Sequence, residues 1–312
     1  MSFNEEIKLI SDTLEIKPAQ IIHLFELLIQ ENQTTSNLSY KLGIPRTHLG
    51  RLLKSLQEYL QPKSQVVMID SSKSKYISDY IQLHYYQDEN EYRKSVYDSF
   101  QKISTERPQP IRELDQFHAT TDTVFRRAMY LHNKGDIFQR DIVFLGDDDL
   151  TSVAVALQGR SKSVTVIDID ERVLNLIDII SDRQQLNIKT VQGDFRTSLL
   201  SEFKNSFDTV FTDPPYTTDG IGLFISKCKE ILRERYTSSA YVCYGNSSRA
   251  PERIASVQNE ILQQGYIFED VISNFNQYTG ADSIGNGSDL YSLKLISRTK
   301  KDRQYKRIYT HE

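Results

Sequence analysis

The sequence predicts an α/β protein: a doubly wound, mostly parallel sheet with a terminal antiparallel hairpin, preceded by a smaller helical domain. Three observations predict it. From residue 141 onward, short apolar runs with strand character alternate with helical patterns, which requires parallel strands and crossover helices. The last two runs, 267–275 and 290–296, are joined by a Gly-rich stretch with no helix, so they pair antiparallel at the sheet end. Residues 1–85 carry helical stripes instead, with one short sheet element.

The composition sets the outer limits. The 312 residues make about two domains, and 38% hydrophobic with 26% charged residues is a globular balance. No apolar run is long enough for a membrane-spanning helix. Glu5 and Glu6, with no apolar core beside them, argue against a secretory leader. Two cysteines, Cys228 and Cys243, are too few for a disulfide framework or a four-thiolate metal site. A cytoplasmic protein with reduced thiols and no membrane partner is expected. A net charge of -4 argues against a protein built to coat nucleic acid.

The amino-terminal elements follow in order. Ile21, Ile22, Leu24, Phe25, Leu27, Leu28 and Ile29 form a broad helical stripe. Ser36-Asn37 reads as the cap of a short helix over 38–42, with Gly43 and Pro45 marking the turn. Thr47 opens a third helix carrying Leu49, Leu52, Leu53, Leu56 and Leu60. Residues 66–69 and 75–77 are expected to pair as a small wing, giving a winged-helix-like order. Arg46, Arg51 and Lys54 would face DNA in such a domain, yet residues 1–90 hold 9 Lys/Arg against 11 Asp/Glu. A structural or dimerisation module is the reading preferred, and nucleic acid is not an expected partner. Residues 86–110, with the break Arg107-Pro108-Gln109-Pro110, form the expected connection to a second domain over 111–297. Residues 298–312 hold six Lys/Arg and two Asp/Glu and read as a solvated basic tail.

In the second domain strands are predicted at 141–145, 164–167, 188–191, 207–212 and 240–244. The intervening helices fall at 150–157, 171–180, 222–234 and 253–264. With the final antiparallel pair this is the Rossmann-like, class I methyltransferase-type order. Its ligand sits at the carboxyl ends of the central strands, where the strand order reverses.

Those strand ends carry the motifs. The first reads Gly146-Asp147-Asp148-Asp149-Leu150, where a dinucleotide site would need glycines to approach a pyrophosphate. Three carboxylates favour a cationic ligand. Decarboxylated S-adenosylmethionine keeps its amine and has lost the carboxylate they would repel. The alternative is an acidic helix start. Asp168 ends the second strand, 22 residues after Gly146, and suits ribose hydroxyls. After the third strand, Asp194 is placed to accept from an adenine amine and Phe195 to pack on the ring. The fourth ends in Asp213-Pro214-Pro215-Tyr216, a stiffened loop that presents Asp213 to an attacking amine and Tyr216 to the acceptor. His23, His48, His84, His118, His132 and His311 form no cluster, and no metal is expected.

These motifs resemble the branched-chain polyamine synthase, or bis-aminopropyl spermidine synthase, family. Arg107-Pro108, Arg112, Asp115-Gln116-Phe117, the triple-Asp loop and Asp213-Pro214-Pro215-Tyr216 carry the likeness. Thr279-Gly280, Ser283-Ile284-Gly285 and Ser288-Asp289-Leu290 extend it over residues 105–296. The resemblance implies aminopropyl transfer from decarboxylated S-adenosylmethionine to a polyamine such as spermidine, with release of methylthioadenosine, no further cofactor and a homodimer. It makes Asp149 and Asp213 the proton acceptors, and Asp147, Asp148, Asp219, Tyr216 and Gln116 the acceptor site. Gly146, Asp168, Asp194 and Phe195 would then hold the nucleoside. A nucleic-acid amine methyltransferase would want a glycine-rich first loop and a basic face; a winged-helix metabolite sensor would not need the acidic cluster.

Overall fold

The computed structural model describes residues 2–63, 66–84, 89–197, 201–245, 250–281 and 286–296. Ser283-Ile284-Gly285 and the tail 298–312, both singled out in the sequence, lie outside the described residues. The chain divides into two compact units, Met1–Ser95 and Val96–Glu312.

The first unit runs α1 (Phe3–Leu14), α2 (Pro18–Gln30), β1 (Gln33–Thr34), α3 (Thr35–Leu42), α4 (Arg46–Ser55), β2 (Leu60–Lys63), β3 (Val66–Ile69) and α5 (Ser74–His84). Thr34, rather than Ser36-Asn37, caps α3 by accepting from the Asn37 N–H. Its three strands pair antiparallel in the order β1-β3-β2. The expected partner of 66–69 was wrong: β3 pairs with β2, and Lys75, Tyr76 and Ile77 belong to α5. The Asp70 carboxylate accepts from the Ser72 N–H and turns the chain. Ile77 and Ile81 then bury with helical rather than alternating spacing.

The boundary between the units falls inside α6 (Glu89–Ile103), whose Phe100 and Ile103 pack into the second unit's core. There follow α7 (Thr121–Asn133), β4 (Asp141–Leu145), α8 (Thr151–Ala156), β5 (Ser163–Asp168), α9 (Glu171–Gln184) and β6 (Ile188–Gln192). The chain continues through β7 (Thr209–Thr212), α10 (Thr218–Ile231), β8 (Ser239–Tyr244), α11 (Pro251–Gln263), β9 (Tyr266–Gln277) and β10 (Gly287–Leu295). Thr217 accepts from the Gly220 N–H, so α10 begins before the predicted residue 222.

The seven strands lie in the order β6-β5-β4-β7-β8-β10-β9. The first five are parallel, and β10 is antiparallel to both neighbours. β4, β7 and β8 are buried along their whole length, as the centre of a two-sided sheet must be. Alternate residues enter opposite cores. Ile142, Phe144 and Phe211 pack with Val124 and Leu131 of α7, whereas Val143, Leu145 and Val210 pack with Ile221 and Ile225 of α10. β4 leads to β5 on one side and adjoins β7 on the other, so the loops after β4 and β7 flank the crevice where the order reverses.

The loop after β4 turns at Gly146, whose φ of +71° is left-handed and whose N–H donates to the Ile167 carbonyl. A Cβ there would have room, its nearest neighbour being a Phe224 ring carbon at 3.8 Å. Backbone conformation alone therefore selects glycine. Gly146→Ala is expected to lose about 1–2 kcal/mol, the cost of a side chain in the left-handed region. A lower denaturation midpoint with an unchanged slope checks it.

Candidate active site

The carboxyl ends of β4, β5, β6 and β7 open onto a cleft of about 580 Å³, solvent-facing volume included. Its walls come from Gly146 and Asp148 after β4, Asp168 and Ile169 at the end of β5, Gly193, Asp194 and Phe195 after β6, and Asp213 and Pro215 after β7. Leu114, Asp115 and Gln116 from the loop before α7, and Phe224 from α10, complete it. Among the described residues the lining holds five Asp and no Lys, Arg or His.

Behind this wall lies a cation that the sequence reading missed. Arg127 of α7 is fully buried. Its Nε donates to Asn276 Oδ1 at 2.7 Å, and its Nη1 to Asp149 Oδ2 at 2.8 Å. Nη2 donates to Asp213 Oδ2 at 2.6 Å and to the Tyr278 hydroxyl at 3.1 Å. The guanidinium also lies 5.4 Å from the centre of the Phe211 ring. One planar fork thus joins the loops after β4 and β7 to the end of β9. The sequence does hold a signal: Arg127 shares the apolar face of Val124, Ala128 and Leu131, where an unpaired charge would be prohibitive.

The three consecutive carboxylates have different partners, and the expectation that all three face the ligand does not hold. Asp147 Oδ1 accepts from the Thr151 and Ser152 N–H groups, at 2.8 and 3.3 Å, and serves the start of α8. Asp149 accepts from Arg127 and from the Ala119 N–H at 2.5 Å, with Arg107 Nη1 3.6 Å away. Neither lines the cleft. Asp148 does, and its buried Oδ2 has no hydrogen-bond partner among the described residues. Leu150, at φ +61°, completes the turn that sends successive side chains to separate places.

The electrostatics follow from these contacts. Burial, then the charges of Asp149, Asp168 and Asp213, pushes the Asp148 carboxyl well above the usual range. Burial also raises Asp168, although its oxygens accept from the Asp147 and Asp170 N–H groups. Asp213 is raised by burial and pulled down by Arg127. Asp194 goes the other way, since a two-oxygen pairing with Arg196 holds it below the ordinary carboxylate range.

Of the residues expected at the site, Gly146, Asp148, Asp168, Asp194, Phe195, Asp213 and Gln116 line one cleft. Tyr216 lies beside it, donating to Asp213 Oδ1 at 2.9 Å, and its ring occupies space that a Cβ at Gly245 would invade. Gln116 is engaged at both ends, accepting from the Ile111 N–H and donating to Asp170. Phe195 stands edge-on to Phe224, ring centres 4.9 Å apart. Asp219 sits in the first turn of α10, outside the cleft lining. Sequence reasoning missed Tyr278, Asn276 and Arg127; the two β9-end residues gain meaning only when that strand end is brought against α7.

Comparison with known proteins places the chain. The family model described as branched-chain polyamine synthase A C-terminal domain matches residues 95–311. An uncharacterized protein of Methanocaldococcus jannaschii is 34% identical over 212 residues, 68% of this chain and 53% of that one. The N(4)-bis(aminopropyl)spermidine synthase of Thermococcus kodakarensis is 33% identical over 183 residues, 58% of this chain and 52% of that one. The chain spans about half the length of these curated relatives. The branched-chain polyamine synthase of Thermus thermophilus, solved with N4-aminopropylspermidine and 5'-methylthioadenosine, shares the fold. It superposes with a TM-score of 0.62 at 18% identity, over 97% of this chain and 96% of that one.

Two substitutions check the division of labour among the carboxylates. Arg127→Met leaves Asp149 and Asp213 buried without their cation and is expected to cost about 3–5 kcal/mol. Asp148→Asn is expected to stabilise the protein at neutral pH by about 0.5–2 kcal/mol. Because the folded pKa of Asp148 is raised, the folded state holds a proton that the unfolded state has lost. Stability therefore falls as pH rises from the unfolded carboxylate pKa, about 3.9, through the folded one. The advantage of Asp148→Asn should vanish at pH values below the unfolded pKa, where denaturant titrations of the two proteins must converge.

Proposed function

The chain belongs to the branched-chain polyamine synthase A C-terminal domain family, and on that premise we propose that it transfers an aminopropyl group from decarboxylated S-adenosylmethionine to an amine of a polyamine. Spermidine is the acceptor favoured, and methylthioadenosine the leaving product. The observation that carries the reading is the cleft lining, which among the described residues has five Asp and no Lys, Arg or His, only Asp213 and Asp194 being paired with an arginine, Arg127 and Arg196, that lies outside the lining. Such a lining selects ligands that are themselves cationic. The names of the curated relatives, bis(aminopropyl)spermidine synthases, support the same reading.

In this reading Asp168 takes the ribose hydroxyls, and the adenine lies by Gly193 and Phe195. Asp148 receives an ammonium group, for which its unpartnered oxygen is suited. Asp213 faces the attacking nitrogen. An alkylamine has a pKa of about 10.4 and arrives protonated. Asp213 takes one proton, the freed lone pair attacks the propyl carbon bonded to sulfur, and the C–S electron pair leaves with methylthioadenosine. Holding the two reactants in line supplies up to ~7–11 kcal/mol of barrier reduction. Asp149 acts from behind the wall, fixing Arg127 and through it Asp213. The first unit is read as winged-helix-like, on its helix order and three-stranded antiparallel sheet. A homodimer and a cytoplasmic setting belong to the same reading.

The assay is direct. Incubation with decarboxylated S-adenosylmethionine and spermidine should yield methylthioadenosine and an enlarged polyamine by mass spectrometry. If S-adenosylmethionine is consumed instead, with methyl transfer to an amine, the reading fails. The donor should bind far more tightly than S-adenosylmethionine by calorimetry. A carboxylate brought against this lining is desolvated beside acidic side chains and finds no Lys, Arg or His among the described lining residues to pair with. Asp213→Asn should lower turnover about 100- to 10,000-fold with little change in donor affinity.

A further inference from the structure

The near balance of charge over residues 1–90 hides a segregation. Residues 32–57, which form β1, α3 and α4, hold Lys41, Arg46, Arg51 and Lys54 and no Asp or Glu. All eleven acidic residues of 1–90 lie on either side of that stretch. Folding then sorts the stretch by face. Leu49, Leu52 and Leu56 are buried, as are Leu38, Leu42 and Ile44 before them. Arg46, Thr47, Gly50, Arg51 and Lys54 are exposed, and at about 3.6 residues per turn they fall on the opposite side of α4. Arg46 Nη2 donates to Ser36 Oγ at 2.9 Å. Among the described residues no carboxylate forms a salt bridge with Arg46, Arg51 or Lys54, and Lys41 stands 3.9 Å from Glu31.

The turn between the helices is Gly43-Ile44-Pro45. Gly43 is left-handed at φ +63°, and the Gln20 side chain of α2 donates to the Leu42 carbonyl at 3.1 Å. A three-residue turn containing glycine is the connection used by helix pairs that place the second helix in a DNA groove. Gly50 is an independent observation. A glycine inside a helix weakens it relative to alanine. Gly50 has no left-handed φ, and a Cβ there would meet nothing within 4 Å among the described residues. Neither backbone conformation nor packing within the chain selects glycine at the centre of this cationic face; the close approach of a partner to the helix backbone does.

We propose that the outer face of α4 binds duplex DNA, entering the major groove while the exposed Tyr40 and Lys41 of α3 lie along the phosphates. A second copy of the chain is a poorer occupant, since the α4 face is cationic and presents no large apolar side chain. Duplex RNA is a poorer one too: its major groove is too deep and narrow for side chains to read, whereas that of B-DNA, about 12 Å wide, admits a helix. No cleft residue takes part, so the inference stands apart from the aminopropyl-transfer reading and is tested without turnover.

The test is fluorescence anisotropy of the full chain with mixed-sequence DNA duplexes of about 30 base pairs. At low salt the dissociation constant should reach ~10⁻⁶ M or below, and the logarithm of the affinity should fall against that of salt with a slope of about -2 to -4. Arg51→Ala with Lys54→Ala should weaken binding at least tenfold and flatten the slope by about two. Gly50→Leu keeps every charge. It should raise the thermal midpoint, as a better helix former, and still weaken binding at least tenfold. Stability and affinity moving in opposite directions is an outcome that a purely structural α4 does not give. Three results overturn the proposal: no binding to DNA at low salt, equal binding by the α4 variants, or heparin or duplex RNA bound as tightly as DNA.

Discussion

A guanidinium cannot shed its charge, and Arg127 has no route to water. Everything around it is arranged to meet that condition. Asp149 and Asp213 supply the countercharges, Asn276 and Tyr278 take further N–H groups, and Phe211 offers its ring face. These partners come from the loops after β4 and β7, from the end of β9 and from the central strand β7. Satisfying one cation therefore sets the mutual positions of the elements that flank the sheet's switch point. A hydrophobic residue at 127 would pack more cheaply by general precedent. What the ion pair provides instead is a fixed geometry for two carboxylates.

The acidic loop shows how neighbours in sequence part company in space. Asp147 serves the start of α8, Asp149 serves Arg127, and Asp148 alone faces the cleft with an unpartnered oxygen. The one carboxyl of the three that is left without a cation is thereby placed where a cationic ligand would favour its ionised form. The desolvation of Asp148 is a local instability of the kind binding sites hold. Asp194 is the opposite case: Arg196 already saturates it, so it is poorly suited to discriminate an adenine amine.

The second unit's fold was largely legible because its signals are local. Each central strand is a short apolar run bounded by turn residues, and each helix has its own period. The errors arose where a local signal was ambiguous. Residues 75–77 have strand-like composition, but the Asp70-Ser72 turn and the spacing of Ile77 and Ile81 commit them to α5. The start of α10 lies before the glycines at 220 and 222 because the Thr217 hydroxyl accepts from the Gly220 N–H and holds them inside the helix.

The amino-acid sequence by itself determined the α/β architecture, the positions of the motifs at the strand ends and the acidic character of the cleft, since periodicity, turn chemistry and charge are written residue by residue. Which carboxylate faces the ligand was decided only by tertiary structure. A run of three Asp is symmetrical in sequence, and it is the left-handed turn at Leu150, the α8 N–H groups and Arg127 that tell its members apart. The Arg127 and Tyr278 contacts with Asp213 join residues 86 and 65 positions apart. No local pattern encodes such contacts; they exist because the sheet order brings β4, β7 and the end of β9 around one buried charge.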